Sequence, residues 1–347
     1  MKLLVFGCPH VQAGETLGSG ALQPTVQWLI QTAQQYQVSH VVCLGDTVDS
    51  VAKTDLMTNL TVKWFLDSFK ALARTGVSVI WLVGNHDVYS SAYSALDIFE
   101  DSHNFIVLKT PKTVSDGVTM TFWPFQTWMD RAVDWPLHRE ELIAPRAGGE
   151  ESPRILFTHA PLEGMPMGPV KDDGADMADL ALQYDLIFAG HYHVANQFLA
   201  KAMSAGTPVV VPGCVIAHTF QDSGWFHGAV LYDTDQSVDH VQWLGNPYSH
   251  YFFTGSAAEL DAALKNPTVA ALRERTHVRL TDDVDTAKYS SQGIPTVQLR
   301  PKQEQIKSSG KQSFQLEGKP EDDLKLWLDD AGLDEADALL ELGKGYF

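Results

Sequence analysis

Apolar runs that end abruptly in polar clusters recur along the first 250 residues. Lys2–Phe6 leads into Gly7-Cys8-Pro9-His10, His40–Leu44 into Gly45-Asp46-Thr47-Val48-Asp49, and Val77–Val83 into Gly84-Asn85-His86-Asp87. Such short apolar runs predict buried strands. Two stretches with helical spacing lie between them. Pro24 opens the first, which carries Val26, Leu29, Ile30 and Ala33. The second runs from about Thr58 to Arg74, with Val62, Phe65, Leu66, Phe69 and Leu72 on one side. The order β-α-β-α-β predicts parallel strands with right-handed crossovers, so all three polar clusters fall on one sheet edge. In open α/β sheets ligands bind at that carboxyl edge.

The pattern then changes. From Phe105 to Phe125 short strand-like runs alternate with turns, which predicts a second sheet. Residues 126–153, with Trp128, Trp135, Pro136 and Pro145, read as an inserted surface segment. Ile155–Phe157 leads into Thr158-His159, Leu186–Ala189 into Gly190-His191-Tyr192-His193, and Val209–Val211 into Pro212-Gly213-Cys214. Ala229–Tyr232 and Val238–Trp243 read as closing strands, and Tyr251, Phe252 and Phe253 mark the end of the core. Helix-like Ala257–Leu264 and Val269–Arg275 precede short strands at Val278–Leu280 and Thr296–Leu299, a small α/β module. The expected divisions are a core over 1–255, the module over 256–300, a polar linker over 301–319 and an acidic tail over 320–347. The tail's Leu324, Trp327, Leu328, Leu333 and Leu339 fit two short amphipathic helices.

Composition narrows this picture. The 44% apolar content of the 347 residues suits a globular protein with a real core. No run approaches the length of a membrane span, and the N-terminal apolar run is too short for a signal peptide. Three cysteines are too few for a disulfide framework, so a reducing cytoplasm is expected. The net charge of −18 argues against indiscriminate binding to nucleic acid or anionic membranes. Only residues 256–319 have a positive balance, 10 Lys/Arg against 8 Asp/Glu.

The candidate chemistry lies in the residues that follow the apolar runs: Cys8, His10, Asp46, Asp49, Asn85, His86, Asp87, His159, His191 and His193. Each segment alone has an ordinary alternative, such as an Asx-turn at Gly-Asp-x-x-Asp or a satisfied histidine at a strand end. Together, each after a strand, they suit metal ligation, because imidazole, carboxylate and carboxamide are ligands for Mn, Fe or Zn. His10 and His193 would serve one ion, Asn85, His159 and His191 a second, and Asp46 would bridge them. Two ions so held can activate a water and stabilise both oxygens of an in-line phosphoryl displacement. Of the other histidines, His218 and His227 stand apart because they flank a strand near Pro212-Gly213.

Gly45-Asp46-x-x-Asp49, Gly84-Asn85-His86-Asp87, the lone His159 and Gly190-His191-x-His193 resemble the calcineurin-like metallophosphoesterases over roughly residues 1–250. The resemblance implies an α/β fold, a two-sheet β-sandwich flanked by helices. It also implies a site for two divalent metal ions at the sheets' edge, and His86 as proton donor to the leaving oxygen, oriented by Asp87. The family's first motif is Asp-x-His, whereas this chain has Cys8-Pro9-His10. Three readings stay open: Cys8 binds as thiolate and favours Zn²⁺ or Fe²⁺, the first ion is weakly held, or the site is degenerate.

Pro212-Gly213-Cys214, Gly228-Ala229-Val230 and Asn246-Pro247 resemble the SbcD-type DNA nucleases and their phage relatives. That resemblance implies an exonuclease or endonuclease, most simply Mn²⁺-dependent, working in the cytoplasm of a bacterium or phage-infected host. Residues 256–300 would be a reduced capping module that contacts DNA. Residues 320–347 would bind an SbcC-like coiled-coil ATPase, and a homodimer is usual in the subfamily. Asp49, Arg273, Arg275 and Arg279 are the expected substrate contacts, with Lys265, Arg300 and Lys302 as further phosphate contacts. The alternatives are a stand-alone esterase of small phosphates and a decayed scaffold for the ATPase.

Overall fold

The computed structural model of the chain describes residues 1–11, 19–49, 56–90, 93–97, 104–130, 152–167, 170–171, 174–202, 205–220, 222, 224, 226–238, 240–282 and 284–299. All belong to the first of the two units into which the chain divides, Met1–Arg300 and Pro301–Phe347. The expected linker and tail, and residues 131–151 of the expected insertion, lie outside the described residues.

The first three apolar runs form β1 (Lys2–Phe6), β2 (His40–Cys43) and β3 (Ser78–Leu82), joined through helices α1 (Leu22–Gln35) and α2 (Leu56–Ala73). A short hairpin, β4 (Val88–Ser90) and β5 (Tyr93–Ser94), follows. Next come β6 (Phe105–Leu108), β7 (Lys112–Asp116), β8 (Val118–Trp123) and β9 (Arg154–Thr158). A ribbon of β10 (Pro166–Met167) and β11 (Val170–Lys171) precedes β12 (Leu186–Ala189), β13 (Asn196–Ala202) and β14 (Ala205–Val211). The chain closes with β15 (Gly228–Asp233), β16 (Val241–Gly245), β17 (Tyr251–Gly255), β18 (Thr276–Leu280) and β19 (Thr296–Leu299).

Two six-stranded sheets result, in the orders β16-β15-β1-β2-β3-β6 and β13-β14-β12-β9-β8-β7. In the first, β1, β2, β3 and β6 are parallel, while β15 and β16 close its other side in antiparallel register. In the second, β14, β12, β9 and β8 are parallel and β13 and β7 fold back on the two edges. This is the expected α/β sandwich flanked by helices. Two details differ from the sequence reading. Phe105–Leu108, expected in the second sheet, pairs with β3 in the first. Tyr251–Gly255, expected to end the core, is the first strand of a third parallel sheet, β17-β18-β19.

The layers explain the periodicities. The apolar side of α2 buries Val62, Phe65, Leu66, Phe69 and Leu72 against the first sheet. Phe6, Phe65 and Phe69 surround Trp81, with ring centroids 5.1–5.7 Å away. The Trp81 indole N–H donates to the Thr47 hydroxyl at 2.6 Å, so this packing also fixes the residue beside Asp46. Between the sheets, Leu3, Val5, Val42 and Leu82 meet Phe157, Phe188 and Val210. Fully burying such a side chain stabilises the fold by roughly 1.5–3 kcal/mol. Among the described residues, no helix is long and apolar enough to cross a membrane.

Candidate metal centre

Parallel register sets the polar loops side by side. Gly7 to His10 runs along Gly45 to Thr47: the Cys8 amide donates to Gly45 O (3.1 Å), His10 to Asp46 O (3.0 Å) and Val11 to Thr47 O (2.7 Å). Reaching this arrangement takes left-handed backbone at Cys8 (φ 47°), His10 (φ 43°), Asp46 (φ 54°) and His191 (φ 72°). Each such residue costs about 1–2 kcal/mol, tolerated where the surroundings over-determine it. The loops also pack too closely for a side chain at two glycines. A Cβ on Gly84 would lie 2.2 Å from Asp46 Oδ1, and one on Gly190 would lie 2.6 Å from Leu44 O.

The side chains converge from both sheets. His10 Nε2 lies 2.9 Å from His193 Nε2 and 3.8 Å from Asp46 Oδ2. His159 Nε2 lies 3.1 Å from Asp46 Oδ2 and 3.0 Å from Asn85 Oδ1, which is also 3.0 Å from His191 Nδ1. Ligand atoms of Cys8, His10, Asp46 and His193 lie within 4.8 Å of one another, as do those of Asp46, His159 and His191. The seven expected ligand residues thus meet in one place.

The donor set fits a divalent cation. His159 Nδ1 donates to Leu44 O at 2.5 Å, which leaves Nε2 as a lone pair facing two oxygen acceptors. Lone pairs that face each other need a positive charge between them. Burial lowers the His159 pKa, but the carboxylate of Asp46 outweighs it and the net shift is upward, as expected where a positive charge is favoured. Burial likewise opposes ionisation of Asp46, yet the imidazoles of His159, His10 and His86 hold its carboxyl well below the usual range. Burial and the charge of Asp46 raise the Cys8 thiol well above its ordinary value, so only a cation would draw out its thiolate.

His86 and Asp87 sit beside this cluster. His86 is half-buried, its amide donates to Asp46 Oδ1 at 2.8 Å, and its ring meets His10 edge-on with centroids 4.7 Å apart. The carboxylate of fully buried Asp87 accepts the amides of Val48 and Gly84, both at 2.9 Å. Asp87 therefore bears on His86 through the backbone, stitching the loop that carries it to the Asp46 loop. Burial and the charge of Asp46 push the Asp87 pKa up to about 7. Asp49 is near enough for its charge to act on His86.

The expected DNA contacts lie elsewhere. Arg275 donates to Pro247 O and, at 3.2 Å, to Ser249 O, and its guanidinium lies 5.7 Å from the Tyr251 ring centre. Arg279 lies 4.1 Å over the Phe220 ring. Arg273 and Lys265 are exposed, and Arg300 and Lys302 are outside the described residues. Sequence reasoning missed Asp222, whose Oδ1 accepts the Nδ1–H of His193 at 2.5 Å. It sits in a turn without periodic pattern, where the nearby His218 was the sole signal.

Two sheets with candidate metal ligands at their shared edge fit the metal-dependent phosphoester hydrolases. Residues 1–195 match the model of the calcineurin-like phosphoesterase family, and the chain belongs to that family. Comparison with curated proteins finds no match. Among solved structures, the chain is similar at 12% identity to the TT1561 protein of Thermus thermophilus, over 71% of this chain and 98% of that one, with a TM-score of 0.41. An archaeal phosphodiesterase is 13% identical over 71% of this chain and 99% of its own, with a TM-score of 0.35. A dimetal phosphatase from Danio rerio is 14% identical over 66% of this chain and 91% of its own, with a TM-score of 0.41.

Proposed function

We propose that this chain is a two-metal phosphodiesterase acting on DNA, the nuclease subunit of an SbcC–SbcD-like assembly. One observation carries the hydrolytic part: Asp46 lies between the imidazoles of His10 and His159, with His193 beside the first and Asn85 and His191 beside the second. When bound, two divalent ions supply water activation and neutralise charge on the phosphate. The chain's own residues do the rest. Leu44 O holds the His159 ring. His86, anchored through its amide and half-buried, would in this reading give a proton to the leaving oxygen.

In this reading the ions are Mn²⁺, with Zn²⁺ or Fe²⁺ admitted by the sulfur of Cys8. DNA is supported by the motif resemblance and by the small α/β module appended after the sandwich. Association with a coiled-coil ATPase through 320–347 belongs to the same proposal. A second reading, a stand-alone esterase of small phosphodiesters, is favoured by Arg275 and Arg279, whose guanidiniums are occupied within the chain.

End-labelled duplex and single-stranded DNA, and bis(p-nitrophenyl) phosphate, are incubated with Mn²⁺ and either the wild type or His86→Ala. DNA cleavage that falls at least about 100-fold in the variant, at unchanged metal content, is the expected result. Hydrolysis of the small ester alone would transfer the assignment to the second reading. Loss of metal in His86→Ala would refute its role as a non-ligand.

A further inference from the structure

An imidazole that binds a metal through one nitrogen needs its other nitrogen held, or the ring turns and the tautomer is lost. His159 has Leu44 O for this purpose. For His193 the partner is a carboxylate from a distant turn. We propose that Asp222 is a positioning residue of the metal centre, which fixes His193 in the tautomer that aims its Nε2 lone pair at His10. The proposal rests on the two-metal reading and deepens it.

The geometry distinguishes positioning from ligation. Atoms of His193, Cys214 and Asp222 lie within 4.8 Å of one another, close enough for an ion of their own. Yet both oxygens of Asp222 are already engaged. Oδ1 accepts the His193 Nδ1–H at 2.5 Å, and Oδ2 accepts the amides of His218 and Thr219, each at 2.9 Å. The Cys214 sulfur lies 3.3 Å from His227 Nδ1. A buried carboxylate with both oxygens engaged by donors of the chain suits orienting its histidine better than holding an ion.

The turn that carries Asp222 is pinned on two sides. His218 Nε2 lies 3.0 Å from Pro9 O, on the carbonyl between Cys8 and His10, so the same turn grips the first metal-site loop. Phe220 is packed edge-on against Phe252 with ring centroids 5.2 Å apart, under the guanidinium of Arg279. Phe252 and Arg279 belong to β17 and β18. The third sheet thereby braces a carboxylate that reaches the metal centre, which gives Arg279 an occupation inside the protein.

The test strips metal from the wild type, Asp222→Asn and Asp222→Glu, then titrates Mn²⁺ back by calorimetry and records the absorption spectrum with Co²⁺. Circular dichroism of the metal-free proteins checks the fold. The wild type is expected to take up two ions. Asp222→Asn should weaken one step about 10–100-fold and alter one cobalt spectrum, with the other step unchanged. Two unchanged steps in Asp222→Asn would overturn the proposal and leave the two-metal reading standing. No uptake by the wild type would overturn both. If Asp222→Asn fails to fold, Asp222→Glu decides, because its displaced carboxylate should shift the same step several-fold; two unchanged steps there overturn the proposal as well.

Discussion

At the carboxyl edge of the two large sheets, Cys8, His10, Asp46 and His191 all hold left-handed backbone. Among the described residues of the third sheet and its helices, from 251 to 299, only Gly293 has positive φ, at 88°. The helices there start by ordinary rules. Ser256 and Glu259 form a reciprocal capping box, and Asn266 caps a helix with Pro267 in its first turn. The first region spends stability to bring acceptors face to face, and the second spends none. Gln37 (φ 52°), just past α1, and Asn104 (φ 61°), just before β6, also hold left-handed backbone, so it is the clustering of four such residues that sets the candidate centre apart.

The contrast breaks first at Gly84. Gly84→Ala should destabilise the protein by roughly 2–4 kcal/mol, because the backbones of two loops must part. It should also cut phosphoesterase activity more than about 100-fold. A denaturant melt and a metal titration read both effects, and near-normal values in each would show that the loops can separate freely. Ser256→Ala should cost only about 1 kcal/mol, with metal uptake and activity unchanged, as the same two measurements would show. A change in metal affinity there would mean that the module's helices reach the centre directly.

The last effect is a slope. Burial, then the neighbouring His250, lowers the His277 pKa to about 4, against about 6.5 in the unfolded chain. The unfolded chain therefore binds a proton that the folded chain refuses. This contribution is complete above pH 6.5 and is lost as pH falls from 6.5 towards 4. Burial also brings His227 to about 4, so it adds a slope of the same sign. Urea midpoints of metal-free His277→Gln should vary less between about pH 7 and about pH 5 than those of the wild type. An equal slope would place the pH sensitivity elsewhere.

Much of the sandwich was legible because a strand buried on both faces writes a continuous apolar run, as β1, β2, β3, β9 and β12 do. The loops after these strands carry His10, Asp46, Asn85, His159, His191 and His193, so position after a strand was itself the signal. Sheet membership was not legible. The run Phe105–Leu108 suits either sheet, and its pairing with β3 is a long-range choice. Asp222 escaped for a related reason: its partners His193, His218 and Thr219 define its role, and its neighbours in sequence do not. The internal contacts of Arg275 and Arg279 were not legible, because an exposed phosphate contact and a guanidinium laid on an aromatic ring read alike in sequence.

The metal centre straddles a seam. Asp46 and Asn85 follow strands of one sheet, and His159 and His191 follow strands of the other. The gap between the sheets is filled by a stacked row of Phe122, Phe157 and Phe188, with centroids 5.0 and 5.3 Å apart, facing Leu3, Val5 and Val42. Those rings act as a spacer gauge, and the thickness they set is the span across which ligands must meet. Substituting one of these phenylalanines would therefore change the separation of the two loop sets without touching a candidate ligand.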